Sequence, residues 1–331
     1  MPFLRPRAGR LRLLVLAVAD RCDQRCVHCD IWRGDDTRPS LTQAERLAVV
    51  EEALGAGAVE ALLTGGEPLL SPDLWPVSER LRRGGARLML ATNGMLLGPY
   101  ASPVARLFDE VYVSLDGGEP TTHDRLRGAS AYARLRAGLE ALRGLSARPR
   151  LVARSVLHAG NLDEIDEVIS GARSLGFDHV SFLALDASSD AFGGHPGSRA
   201  SLVPEASQLR RFAAAISRLE AAGVLGTGFV LEPADKLRRI AAHLRAGAGE
   251  QAFVRPECDA PRWSVVVEAD GRMRPCFFHA PLGDAREGLR ALRESSAYRK
   301  ALAHIDGPNP TCERCVCPKR RYSGLLQRLT A

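Results

Sequence analysis

The chain has 331 residues, enough for one large domain or a large domain with a small one. With 45% hydrophobic, 5% aromatic and 25% charged residues it reads as a soluble globular protein, which excludes disordered, fibrous and membrane-spanning classes. Its 45 Lys and Arg against 39 Asp and Glu leave a mild +6, and without an RNA-binding signature or a basic-aromatic stripe it is not marked for nucleic acid.

At the N-terminus, Arg5, Arg7, Arg10 and Arg12 precede the apolar run Leu13 to Ala19, a pattern that imitates a short signal peptide. The run is short, rich in Leu and Val, and followed at once by cysteines, so it is read instead as a buried first strand. No other stretch approaches membrane-spanning length. Eight cysteines clustered at close spacings in a long chain argue for metal binding in a reducing cytoplasm rather than for four disulfides.

From there apolar runs alternate with helical patterns, the signature of strand-helix units around a parallel sheet. Ser40 with Gln43 resembles a capping box opening a first helix that stops near Gly55 or Gly57. Val59 to Thr64 reads as a second strand running into Gly65-Gly66-Glu67-Pro68, and a helix from Ser71 and Pro72 ends at Gly84-Gly85. Arg87 to Thr92 is a third strand, followed by Asn93-Gly94 and a short helix over Tyr100 to Phe108. Glu110 to Leu115 is a fourth, leading to Asp116-Gly117-Gly118, and Ser130 caps the next helix, which closes at Gly144. Arg150 to Leu157 and His179 to Leu185 are the fifth and sixth strands; their helices begin at Asn161 with Glu164 and at Pro204. Six units make an open, partial barrel rather than a closed eight-unit one. The turn-rich loop Asp186 to Val203 would sit at the mouth and carries His195, read as a surface histidine that could touch substrate.

After Gly226 the alternation fails. The expected organisation is a core over 1–225, a linking helix over 226–250 and a cysteine-bearing tail over 251–331. In the tail, Val265-Val266-Val267 and Arg272-Met273-Arg274 flank Asp270-Gly271, a strong hairpin signal bracketed by Cys258 and Cys276.

Cys22, Cys26 and Cys29, spaced by three and two residues, can converge from one loop on one metal centre. Thiolates favour zinc or iron-sulfur clusters, and a cubane cluster normally takes four of them. The next cysteine is Cys258, so one metal position is left for another ligand. In a parallel barrel the strand ends share a face, which gathers this loop, the glycines at 65 and 66, Glu67, Asn93, Ser114 and Asp116 around one pocket. Four tail cysteines around a hairpin suit either a cluster or a structural zinc.

These motifs resemble those of radical SAM enzymes, whose three-cysteine loop is matched by Cys22, Cys26 and Cys29. The resemblance implies a partial (β/α)6 TIM barrel and a [4Fe-4S] cluster on those cysteines, whose fourth iron is chelated by S-adenosylmethionine. It also implies reductive cleavage of that cofactor to a 5'-deoxyadenosyl radical, which removes a hydrogen atom from substrate, and an electron donor such as flavodoxin or ferredoxin. Gly65, Gly66, Glu67 and Pro68 match the motif that receives the methionine amino group, with Glu67 as acceptor. Asn93, Ser114 and Asp116 would be cofactor contacts, the last two to ribose or carboxylate, with Arg154 a carboxylate clamp and His28 packed near adenine. His123, Asp124 and Arg127 look like the family's segment after strand four and are taken as structural.

The tail extends the resemblance. Cys258, twelve residues, Gly271, four residues, Cys276, then Cys312 and Cys315, is similar to the start of the SPASM/twitch extension. It implies a second, auxiliary [4Fe-4S] cluster on Cys258, Cys276, Cys312 and Cys315. The chain departs from the full SPASM pattern by lacking further cysteines beyond Cys317, which is read as an unused thiol or substitute ligand. A small-molecule substrate from a natural-product or cofactor pathway is the first expectation. A peptide matured with a separate recognition protein is the second, and a non-catalytic iron-sulfur electron carrier the third.

Overall fold

The computed structural model describes residues 9–33, 38–189, 191–193 and 199–315, so His195 and Cys317 lie outside the described residues. Six parallel strands form the core: β1 Leu13–Ala19, β2 Glu60–Gly65, β3 Arg87–Thr92, β4 Glu110–Ser114, β5 Arg150–Leu157 and β6 His179–Ala184. The helices between them are α1 Gln43–Gly55, α2 Leu74–Arg83, α3 Ala101–Leu107, α4 Pro120–Arg127, α5 Ala131–Arg143 and α6 Ile165–Ser174. After β6 come α7 Ala206–Ala221 and α8 Ala234–Gly247. Among the described residues no helix is long and apolar enough to cross a membrane.

Local chemistry moves several boundaries. Thr42, not Ser40, caps α1: its hydroxyl accepts from Glu45 N while Glu45 returns a bond to Thr42 N, so the capping box lies two residues later. Ser40 instead donates to Asp20, at the exit of β1. After β2 the chain first makes a short 3-10 turn, Pro68–Leu70, and α2 begins only at Leu74. The helix α4, between Asp116 and Ser130, was not anticipated. Its eight residues have almost no apolar periodicity, and Glu119-Pro120 supplies its start without a side-chain cap.

The sheet runs β6-β5-β4-β3-β2-β1-β7-β8-β9 and stays open. β7, Ser264–Val267, pairs parallel to β1, and β8, Arg272–Arg274, and β9, Gly283–Asp284, follow antiparallel. The hairpin at Asp270-Gly271 therefore extends the barrel sheet beyond β1. β1 is consequently central and buried on both faces, which explains its unbroken apolar run. At the other edge, residues 229–232 shield β6: Val180 N donates to Phe229 O, and the buried Glu232 accepts from Ser181 Oγ and Phe182 N.

One face of the sheet packs on the helices through Leu14, Leu63, Leu90, Val113, Ala153 and Phe182. The inner face is different. At its lower end Leu13, Val15 and Val266 pack with Trp263 and Phe277 of the tail. Along β4 and β5 it turns polar, with Tyr112 and with Ser114 opposite Arg154.

Candidate functional site

β1 ends in the cysteine loop, and the turn after β2 holds that loop from beneath. Gly66 N donates to Ala19 O (2.9 Å), and Glu67 N to Arg21 O (2.8 Å). A Cβ on Gly65 would overlap the Ala19 carbonyl, and one on Gly66 that of Arg21; Gly65 also has φ +139°. The close approach these glycines permit is therefore to the chain itself.

Glu67 is fully buried, and its carboxylate accepts from Leu69 N (3.0 Å), Thr92 Oγ1 (2.8 Å) and Asn93 N (2.7 Å). Burial pushes its carboxyl up to about 7 against those bonds. Three donors from two strand ends make this side chain a brace between the turns after β2 and β3. Asn93 continues the brace: Nδ2 donates to Asp23 Oδ1 (2.7 Å) and lies 3.8 Å from Cys22 Sγ.

The other wall is built by a residue the sequence reading left as structural. Arg127, at the end of α4, is buried; its Nε donates to Asp116 Oδ2 (2.6 Å), and its Nη1 lies 3.6 Å from Cys26 Sγ and 3.4 Å from Gln24 Oε1. Asp116 is fully buried and also accepts from Val156 N (2.8 Å). Burial works against its charge, but the Arg127 guanidinium, together with the Val156 N–H and the neighbouring histidines, holds the carboxyl down at about 2. Both carboxylate oxygens are thus engaged inside the protein. Removing either partner of such a buried pair costs about 3–5 kcal/mol. The available signal was periodicity: Arg127 falls four residues after His123, on the one face of α4 that is buried.

His28 is packed inward, its Nε2 3.8 Å from Asp116 Oδ2 and its ring 5.5 Å from that of His158. Burial drives it down to about 3, so it is neutral. Arg154 on β5 lies with its guanidinium 4.1 Å over the Tyr112 ring, and its buried Nε has no partner. Among the described residues it makes no ion pair, which leaves a cation available on the inner face.

The long loop after β6 closes the top through Phe192. Its carbonyl accepts from Asp30 N (3.1 Å) and Arg199 Nη2 (3.3 Å) and lies 3.9 Å from Cys29 Sγ, while its ring stacks on Phe277 at 5.4 Å. This loop ties the N-terminal cysteines to the tail, and Phe192 adopts φ +59° to do so.

Whether the cysteine loop suits a cluster is tested by what surrounds the sulfurs. Cys22, Cys26 and Cys29 form no disulfide, and burial raises all three thiols, Cys22 to about 12 and Cys26 to about 11. Gln24 N, Asn93 Nδ2 and Arg127 Nη1 all point N–H groups at sulfur. Donors of this kind stabilise cluster thiolates, so the donor set fits an iron-sulfur group.

In the tail, Cys258, Cys276, Cys312 and Cys315 line one cavity with His279, whose Nε2 is 3.3 Å from Cys312 Sγ. Thiolates of this kind are ligands for iron-sulfur clusters and for zinc alike.

Comparison with known proteins agrees. Residues 16–172 match the family model of the radical SAM superfamily, and residues 258–316 that of SPASM, an iron-sulfur cluster-binding domain. The chain is 34% identical over 181 residues to an AdoMet-dependent heme synthase of Methanosarcina barkeri, covering 52% of this chain and 50% of that protein. It is 30% identical over 211 residues to a PqqA peptide cyclase of Streptomyces rochei, covering 62% and 55%. A probable GTP 3',8-cyclase of Methanothermobacter thermautotrophicus is 26% identical over 302 residues, 86% of this chain and 90% of that one. The chain spans about half the length of the first two. SuiB of Streptococcus suis bound to its precursor peptide SuiA overlays with a TM-score of 0.65 at 15% identity, over 87% of this chain and 66% of that one, a likeness of fold alone. The two domains bring S-adenosylmethionine with a [4Fe-4S] cluster, and auxiliary iron-sulfur clusters, respectively. With an open parallel sheet, a three-cysteine loop at its mouth and a cysteine-lined tail, this chain belongs to the radical SAM superfamily and carries a SPASM domain.

Proposed function

We propose that Cys22, Cys26 and Cys29 hold the [4Fe-4S] cluster that binds S-adenosylmethionine, and that Cys258, Cys276, Cys312 and Cys315 hold one auxiliary [4Fe-4S] cluster. Bound there, cluster and cofactor supply one-electron cleavage of the sulfonium and removal of a hydrogen atom from an organic substrate. The observation that carries this reading is the convergence of N–H donors on the sulfurs of Cys22 and Cys26, at the end of the central strand.

The chain's own residues divide the remaining work. The backbone of Gly65, Gly66 and Pro68 borders the loop and is the place for the cofactor amino group, because the Glu67 carboxylate is already committed to Leu69, Thr92 and Asn93. Asn93 and Asp116 act through the loop rather than on the cofactor: Asn93 fixes Asp23, and Asp116 fixes Arg127. Ser114 and Arg154, opposite one another on β4 and β5, offer a hydroxyl and a cation to the cofactor carboxylate.

A small molecule is the substrate class we favour, with a heme synthase and a GTP cyclase among the relatives in sequence. A peptide substrate is the second reading, favoured by the 30% identity to a peptide cyclase. A short precursor peptide that stimulates cofactor cleavage would decide for the second.

The test is anaerobic reconstitution with iron and sulfide counting, followed by assay of 5'-deoxyadenosine. About eight irons per chain support two cubane clusters, whereas about four remove the auxiliary one. Retention of cofactor cleavage by Cys26→Ala would overturn the central assignment.

A further inference from the structure

Arg127 stands apart from the other N–H donors around the cysteine loop because, among the described residues, it sets a charged N–H against a sulfur. Gln24 N and Asn93 Nδ2 reach Cys22 as neutral donors, at 3.5 and 3.8 Å. The Arg127 guanidinium is buried, its Nη1 lies 3.6 Å from Cys26 Sγ, and its counter-charge, Asp116 Oδ2, is 2.6 Å from its Nε. A buried cation beside a metal-bound thiolate is poorly screened by solvent, so the cluster feels its field less that of its buried counter-charge.

We propose that Arg127 sets the reduction potential of the N-terminal cluster by holding a positive charge against the Cys26 sulfur, and that Asp116 limits how much of that charge the cluster feels. This rests on the reading of Cys22, Cys26 and Cys29 as cluster ligands. Reduction adds one electron to the cluster from an external one-electron reductant, and no bond or proton on the protein changes. The added negative charge is favoured by the guanidinium, so Arg127 raises the potential, and the Asp116 carboxylate lowers it in part. Arg127 is a positioning residue, acting on the reaction only through the cluster.

The test is a dithionite titration of the reconstituted full chain, with the reduced cluster followed by its electron paramagnetic resonance. The N-terminal cluster is told from the tail cluster by the change in its signal when S-adenosylmethionine is added. Arg127→Gln should lower the midpoint potential, so that at a fixed solution potential the ratio of reduced to oxidised cluster falls roughly tenfold, as expected for loss of a charge-assisted hydrogen bond. Arg127→Lys should stay near the wild type, and Asp116→Asn should move the potential the opposite way.

A purely structural role predicts loss of iron in these variants with an unshifted potential in the clusters that remain, and that result overturns the proposal. Should Arg127→Gln fail to hold iron, the raised potential expected for Asp116→Asn beside an unshifted Arg127→Lys still decides. If the wild-type chain shows no cluster signal that responds to S-adenosylmethionine, the ligand assignment itself has failed rather than the role of Arg127.

Discussion

The N-terminal cysteine loop and the tail cysteines reach similar chemistry by opposite routes. The loop places three thiols within eight residues, and its neighbours come from the ends of β2, β3, α4 and the segment after β6. The tail draws its thiols from positions as far apart as Cys258 and Cys315, joined through a hairpin whose first strand pairs with β1. Cys26 is buried under Arg127, whereas Cys258 is exposed. A short loop costs little closure entropy, so its precision comes from bracing; the tail has to be closed over a long span by the sheet itself. The three-cysteine loop is thus locally encoded and globally supported, while the tail cysteines come together only when the fold is complete.

The comparison breaks most sharply at the cysteines. Cys26→Ala should abolish 5'-deoxyadenosine formation, read by chromatography of the quenched reaction. Cys312→Ala should leave that product while lowering iron to about four per chain.

The glycines under the loop come next. Gly66→Ala drives a methyl group into the Arg21 carbonyl and should cost about 2–4 kcal/mol in thermal unfolding of the metal-free protein, with loss of the N-terminal cluster. Gly283→Ala in the tail meets only the flexible end of Leu292 and should cost about 1 kcal/mol or less.

Glu67 gives the loop a pH signature. Its carboxyl keeps a proton to about 7 in the folded chain against an ordinary value of 4.5, so the folded state binds the extra proton between those values. Stability should therefore fall as pH rises from 4.5 through 7, by up to about 3 kcal/mol. Glu67→Gln should flatten that slope in denaturant melts, and an unchanged slope would refute the assignment. A modest effect is expected from His279→Ala, which removes the neighbour of Cys312 and should weaken iron retention in the tail about tenfold, read by chelator competition.

Much of this was legible in the chain. β1, β3 and β5 are where their apolar runs placed them, because a buried parallel strand leaves little choice of register or period. The three cysteines and the Gly-Gly-Glu-Pro turn stood out because each is a local pattern. The cap at Thr42 was misplaced by two residues, since Ser40 offers the same hydroxyl and only the packing of Asp20 draws it away. The helix α4 was hidden by its polar composition, and with it Arg127.

By itself, then, the sequence determined the alternating strand-helix core, the hairpin and the family its cysteine motifs belong to, because period, turn residues and thiol spacing are short-range properties. Only the tertiary structure decided where those groups point. It spent Glu67 on bracing two strand ends, paired Asp116 with Arg127 beneath Cys26, and extended the sheet through the tail so that distant cysteines line one cavity. The physical reason is burial: the value of a carboxylate or a guanidinium depends on which partner is within about 3 Å once water is gone, and the linear chain does not contain that distance.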